Sequence, residues 1–243
     1  MNAFLAVYYR EMLLLWRKLP KHAASLAVSP LLYILAFGYG LGEVRVGGVD
    51  YLSFLVPGLI AMGSMTQAFA MASEINISRF YWKIFEEYQA APVSPLAYVL
   101  GEAMAGVTRG LLATAIVLAL ALPFGVQIQV GPMLLAAVIL NSFFFACVAV
   151  VSAMLVSSHG DQALISSFVI TPMAFLGGTF FPVDRMPEAV QAVLAFLPLT
   201  HAARIIRGTA LGQPVEASSF AVLVVLGLAA LGLAMCCVRR ATD

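Results

Sequence analysis

Three lysines, three histidines, twelve acidic residues and three cysteines are most of what this chain offers for chemistry, and their spacing argues against catalysis. A phosphate-cradling loop closes a glycine-rich turn on lysine, G-x-x-x-x-G-K-[ST]. Here Lys18, Lys21 and Lys83 follow arginine, proline and tryptophan, so the chain cannot cradle a nucleotide in that way and any ATP must be handled elsewhere. No H-E-x-x-H pair exists, and His22, His159 and His201 fall at different predicted depths, which leaves no metal site. Asp50, Asp161, Asp184 and Asp243 sit at span ends, in loops or at the terminus, so no intramembrane acid pair is available. No G-x-S-x-G elbow presents a nucleophilic serine. Cys147 lies in an apolar run and Cys236 and Cys237 are adjacent, spacings that serve neither metal nor redox chemistry. The expectation is a chain that is no enzyme and binds no cofactor itself.

The remaining polar residues lie among apolar ones. Glu102 and Arg109 stand seven apart, two turns and about 10 Å along one helix, too far for a direct pair, so each needs another partner. Buried ionisable groups in membranes are costly and often functional, although Glu102 could equally anchor its span at the interface. Gln67 and Asn141 fall nearer mid-span, as interhelical glue or as walls of a substrate path. Arg204 and Arg207, three apart, suit a headgroup, a sugar or plain solvation. The aromatic clusters Phe143–Phe145 and Phe180–Phe181 face lipid, core or a path.

The elements that carry these residues are membrane helices. The 243-residue chain is 62% hydrophobic and 10% charged, where soluble domains are nearer half and about a quarter. A net charge of +1 leaves no basic footprint for nucleic acid. Spans need about 20 apolar residues, and six emerge: His22–Leu41, Tyr51–Ser73, Leu100–Phe124, Pro132–Ser157, Gln162–Phe181 and Ala217–Val238. The fold class expected is an all-α membrane protein with six transmembrane helices. With the N-terminus inside, eight lysines and arginines (Arg10, Arg17, Lys18, Lys21, Arg79, Lys83, Arg239 and Arg240) face the cytoplasm and four (Arg45, Arg185, Arg204 and Arg207) face out, so both termini are predicted cytoplasmic.

Between the second and third spans, Glu74–Glu102 cannot sit comfortably in lipid. Placed on one helix over 77–90, Arg79, Lys83, Glu86 and Glu87 share a face that meets solvent or a partner. Tyr81, Phe85 and Tyr88 share the other and hold it to the membrane domain. A second amphipathic helix over 1–21 carries Arg10, Arg17 and Lys18 opposite Phe4, Tyr8, Met12 and Trp16 and is expected to lie flat. Beyond the fifth span, Met186–Phe196 and Thr200–Leu211 read as two short outer helices over 186–211 that dip back into the membrane, tolerated only against protein or a cavity. Pro57 and Gly58 interrupt the second span, and Pro172, Gly177 and Gly178 the fifth, as ordinary kinks or as hinges.

The segment YLSFLVPGLI at Tyr51–Ile60, Phe85-Glu86-Glu87, APVSP at Ala91–Pro95, and LPLTH at Leu197–His201 with Arg204 and Gly208 together resemble the permease subunit of type-2 ABC exporters, closest to the branch with nodulation lipo-oligosaccharide and drug exporters. The resemblance implies a half-transporter in the bacterial-type inner membrane that pairs with a second permease, the same or similar, and binds two ABC ATPase subunits carrying ATP and magnesium. It places the ATPase contact at the N-terminal helix and at Arg79–Tyr88, including Arg79, Lys83, Glu86 and Glu87. It places an outer gate after the fifth span, where Phe180, Phe181, His201, Arg204 and Arg207 stand. The substrate expected is amphiphilic, lipid-linked, glycan or drug-like. Two other classes fit the residues: a self-powered secondary transporter or channel, and a membrane anchor with no transport role.

Overall fold

The computed structural model describes residues 3–41, 44–46 and 48–241. Glu43, where the first predicted loop begins, and the terminal Asp243 lie outside the described residues. The chain runs α1 (Ala3–Gly40), a two-strand hairpin of β1 (Arg45–Val46) and β2 (Val49–Asp50), α2 (Tyr51–Phe69), α3 (Met71–Phe80), α4 (Ile84–Ala90), α5 (Pro95–Ala121), α6 (Pro132–Leu155), α7 (His159–Ile165), a π-helical turn at Ser166–Ile170, α8 (Thr171–Leu176), α9 (Glu188–Leu194), α10 (Pro198–Ala210) and α11 (Ala217–Arg240). The antiparallel hairpin pairs Arg45 with Asp50 and Val46 with Val49. Otherwise the fold is all-α.

Helix α2 is buried almost throughout, with Leu55, Val56, Leu59, Ile60 and Met65 fully enclosed. Helices α5, α6 and α10 surround it, while α1 lies against α5 and α11 against α6. Close approach is set by small residues, as in other membrane helix pairs. Gly106 and Gly110 form a G-x-x-x-G face on α5, where an added Cβ would collide with Ala146 and Ser142 of α6. Ser94 starts α5 by accepting the Ala97 amide at 3.2 Å, with Pro95 in the first turn where its missing N–H costs nothing.

Among the described residues, five stretches are long and apolar enough to cross a membrane: Ala3–Gly38, Tyr51–Phe80, Pro95–Phe124, Pro132–Leu155 and Ala217–Arg240. A sixth results if α9 and α10, bent by 95°, count as one broken span. This differs from the predicted six in specific places. The interfacial helix over 1–21 and the first span are one uninterrupted α1, because Val7, Met12 and Leu15 are buried with the bundle and hold the polar half in line with the rest. Pro20 falls within it. The second span does not stop at Ser73 but resumes after a turn at Ala70 and runs on to Phe80.

The predicted fifth span, Gln162–Phe181, is a helical run of three pieces that ends at Leu176. Pro172 has no N–H for the Phe168 carbonyl, and the ladder before it widens: the Thr171 amide and hydroxyl both go to the Ser166 carbonyl. Gly178, at φ +84°, then turns the chain out of the helix. The helix expected over 77–90 is two helices, since α3 ends at Phe80 and Lys83 takes a left-handed φ of +53° before α4 begins.

Candidate functional site

One end of the bundle gathers α4, the last turns of α3 and α6, and the C-terminus, where Gln89 donates to the Ala241 carbonyl at 2.8 Å. Helix α4 buries Phe85 edge-on against Tyr98 of α5 at 5.6 Å, with Tyr88 5.3 Å from the same ring. Burial raises the Tyr88 phenol above its ordinary pKa, with Arg10 opposing, so it remains protonated. The outer side of α4 presents Glu86 and Glu87, and Lys83 lies 3.1 Å from Glu86.

Two residues depart from the predicted division of faces. Arg79 is buried rather than facing solvent, and Tyr81 is 72% exposed rather than holding the helix down. The cause is the end of α6, whose last carbonyls have no intrahelical donor. Arg79 donates to the Met154 carbonyl at 2.9 Å and lies over the rings of Phe80 and Phe85 at 4.9 and 5.4 Å. Turning Arg79 inward turns Tyr81, two residues on, outward. A cleft of about 420 Å³ runs between this turn and Met154–Ser157, lined by Lys83 and Glu86.

Arg109, 2% exposed, finds the partners that its position demanded. It donates two hydrogen bonds of 2.6 Å to the Glu74 carboxylate on α3 and lies 3.6 Å from Glu11 on α1. Glu11 accepts in turn from Arg10 at 2.8 Å. One guanidinium thereby ties three helices together in the fork geometry that arginine alone provides. Sequence reasoning missed Glu11 and Glu74, although the rule that a membrane arginine needs a carboxylate could have found them. Glu102 is buried, not an exposed interfacial anchor, and its Oε2 has no hydrogen-bond partner among the described residues.

At mid-bundle, Asn141 of α6 donates to the Ala61 carbonyl at 3.1 Å and to the Ser64 hydroxyl at 2.9 Å. Those bonds fasten α6 to α2 and make it interhelical glue. Gln67 is half-buried outside that knot. Asn141→Leu keeps the branched outline, removes both bonds and is expected to cost at least about 1 kcal/mol, read as a lowered unfolding midpoint in detergent. Phe144 and Phe145 are buried against each other at 4.8 Å.

The opposite end holds the second cluster. Phe180 is buried among Tyr33, Phe37 and Phe175, and its carbonyl accepts from the Tyr51 hydroxyl at 2.9 Å. Phe181 is exposed. Arg207 donates to the carbonyls of Gly178 at 2.7 Å and Phe54 at 3.3 Å, and its guanidinium lies 3.8 Å from the centre of the Phe54 ring. Arg204 reaches Asp184 at 3.5 Å, and His201 bonds the Ala195 carbonyl at 2.9 Å. The two sets of predicted breaks meet here: a Cβ on Gly58 would overlap the Thr179 carbonyl oxygen and stand 2.9 Å from the Thr179 Cα. Pro57 and Gly177 are buried and Pro172 is exposed. Among the described residues, no cluster of three or more His, Cys, Asp or Glu side chains is placed to hold a metal ion.

Most of the chain resembles known proteins in sequence. Residues 2–211 match the family described as ABC-2 type transporter. Nodulation protein J of Rhizobium leguminosarum bv. viciae is 34% identical over 218 residues, 87% of this chain and 83% of its own length. Nodulation protein J of Rhizobium meliloti (strain 1021) is 33% identical over 85% of this chain and 80% of its own. The inner membrane transport permease YadH of Escherichia coli (strain K12) is 30% identical over 72% of this chain and 69% of its own.

Proposed function

The chain belongs to the ABC-2 type transporter family, and from that premise we propose that it is the permease half of an exporter driven by two separate ATPase subunits that dock at its α4 end. Permease character and export follow from the family and from relatives such as YadH and nodulation protein J. The proposal adds the direction of coupling. Both termini and α4 face the cytoplasm, as the lysine and arginine distribution favours. ATP and magnesium stay on the partners, and the path opens between this chain and a second permease, the same or similar. The cargo is amphiphilic: lipid-linked, glycan-bearing or drug-like.

The observation that carries this reading is the construction of α4. Its aromatic side is anchored on Tyr98, its charged side is exposed, and it is joined through a three-residue turn to α3. A push on α4 reaches α6 through Arg79, and reaches α1 and α5 through the Glu74–Arg109–Glu11 tie. It arrives at the far end at the Gly58–Thr179 contact, where Pro57, Gly58, Gly177 and Gly178 serve as the hinge. Pro172 permits the bend in the neighbouring helix.

Lys83→Glu combined with Glu87→Lys reverses two exposed charges of this end, one of them the Lys83 partner of Glu86, without touching Phe85. ATPase co-purifying with the permease is expected to fall about tenfold, as for loss of a close interfacial charge pair. Unchanged ATPase binding and stimulation would remove α4 from the coupling route, and export sustained in vesicles lacking the ATPase would overturn the whole reading.

A further inference from the structure

We propose that the cavity beside α10 is a binding site for an anionic amphiphile, seating a phosphate, sulfate or carboxylate group on Arg207, Arg204 and Thr200. The cavity measures about 570 Å³ and lies among the β1–β2 hairpin, the start of α2, the Gly177–Arg185 segment, α10 and the start of α11. At about 30 Å³ per water it has room for on the order of twenty, enough for a headgroup and not merely an ion.

The charge is the first argument. Arg207 is held only by two backbone carbonyls and the Phe54 ring, with no carboxylate within 4 Å among the described residues. These contacts orient the guanidinium through Nε and Nη2 and leave Nη1 with no hydrogen-bond partner among the described residues. Carbonyls satisfy donors but do not neutralise a charge. Three guanidiniums, those of Arg185, Arg204 and Arg207, line the cavity against two carboxylates, those of Asp184 and Glu216. The Arg204–Asp184 contact is loose at 3.5 Å and both side chains are exposed, so Arg204 can exchange it for an incoming oxyanion.

An orphaned hydroxyl is the second. Thr200 is 1% exposed, lines the same cavity, and its Oγ1 has no hydrogen-bond partner among the described residues. A buried hydroxyl left without a partner costs about 1–3 kcal/mol, and an oxyanion would accept its proton. Thr200, Arg204 and Arg207 follow one another at four and three residues, so they form one stripe along α10. The lining also includes apolar Val46, Val49, Val183 and Leu211, which suits the hydrocarbon part of an amphiphile more than a fully hydrated ion.

The site requires no ATPase, so its test stands apart from the export reading. The full chain is reconstituted in phosphatidylcholine nanodiscs, dihexanoyl phosphatidylglycerol is titrated in, and retained lipid is counted by native mass spectrometry. One phosphatidylglycerol per chain is expected to bind in preference to phosphatidylcholine. Thr200→Val, which keeps the shape and deletes only the hydroxyl, should weaken that binding about tenfold, the value of one hydrogen bond to a charged group. Arg207→Gln should abolish it. Arg45→Gln removes an equal charge from an exposed position outside the cavity and should change nothing. Equal retention in wild type, Thr200→Val and Arg207→Gln would reduce the effect to general surface attraction and overturn the site. Displacement by millimolar inorganic phosphate, with no advantage for the lipid, would overturn the amphiphile as its ligand.

Discussion

Arg109→Gln should lower the stability of the folded permease by about 3 kcal/mol, a cost typical of removing one partner from a buried ion pair. The substitution leaves Glu11, nearly enclosed, and the half-exposed Glu74 without their shared cation. Because Glu74 can turn toward water, the loss falls at the lower end of the usual range. On the scale of soluble domains this corresponds to a fall in unfolding midpoint on the order of 10 °C, measured by thermal unfolding in detergent. Glu74→Gln alone should cost less, and Arg109→Gln combined with Glu74→Gln should cost less than the sum, with a coupling of about 1–3 kcal/mol. Arg109→Lys should fall between, since one ammonium cannot span both carboxylate oxygens as the guanidinium does. Strict additivity of the two single changes would mean that the tie does not bind α3 to α5.

Gly58→Ala should damage export more than it damages folding. The new methyl group meets the Thr179 carbonyl and Cα, which are backbone and cannot rotate aside. Overpacking of this kind costs about 1–3 kcal/mol in stability. In the proposed mechanism it also wedges apart the contact between the break in α2 and the segment that follows α8. Gly63→Ala is the matched control on the same helix, because its Cβ would stand 3.8 Å from that of Ala113, an ordinary contact. That change should be neutral or stabilising by up to about 1 kcal/mol. At equal amounts in the membrane, export by Gly58→Ala is expected to fall at least about tenfold, a loss of roughly 1.4 kcal/mol at the transition state. Equal export by the two variants would take Gly58 out of the moving part.

Much of this architecture was legible because bilayers impose crude rules. A run such as Pro132–Leu155 can be little other than a membrane helix, and the family was legible in short segments such as YLSFLVPGLI. What was not legible depended on partners distant in sequence. Arg79, Lys83, Glu86 and Glu87 fit one helical face by spacing alone. Nothing local warned that Lys83 takes a positive φ, because the usual markers, glycine and asparagine, are absent there. Arg79 leaves that face to bond a carbonyl 75 residues away. Arg109 announced its need for a carboxylate, but Glu74 lies 35 residues back, and only the assembled bundle selects it. Pro57-Gly58 and Gly177-Gly178 were visible as separate interruptions. The contact of Gly58 with Thr179, the residue after Gly178, was not, since no periodicity connects them.

The continuity of α1 has a mechanical consequence. Its 38 residues rise about 57 Å at 1.5 Å each, whereas the hydrocarbon layer is about 30 Å thick. Nearly half of the rod must therefore lie outside the oily layer or tilt steeply through it, and Arg10, Glu11, Arg17 and Lys18 stand on the surplus half. In the proposed mechanism the surplus acts as a tiller. A torque on its polar turns is carried by the same hydrogen-bond ladder into the turns that face lipid. That ladder lacks two rungs, at Pro20 in the polar half and at Pro30 in the apolar half.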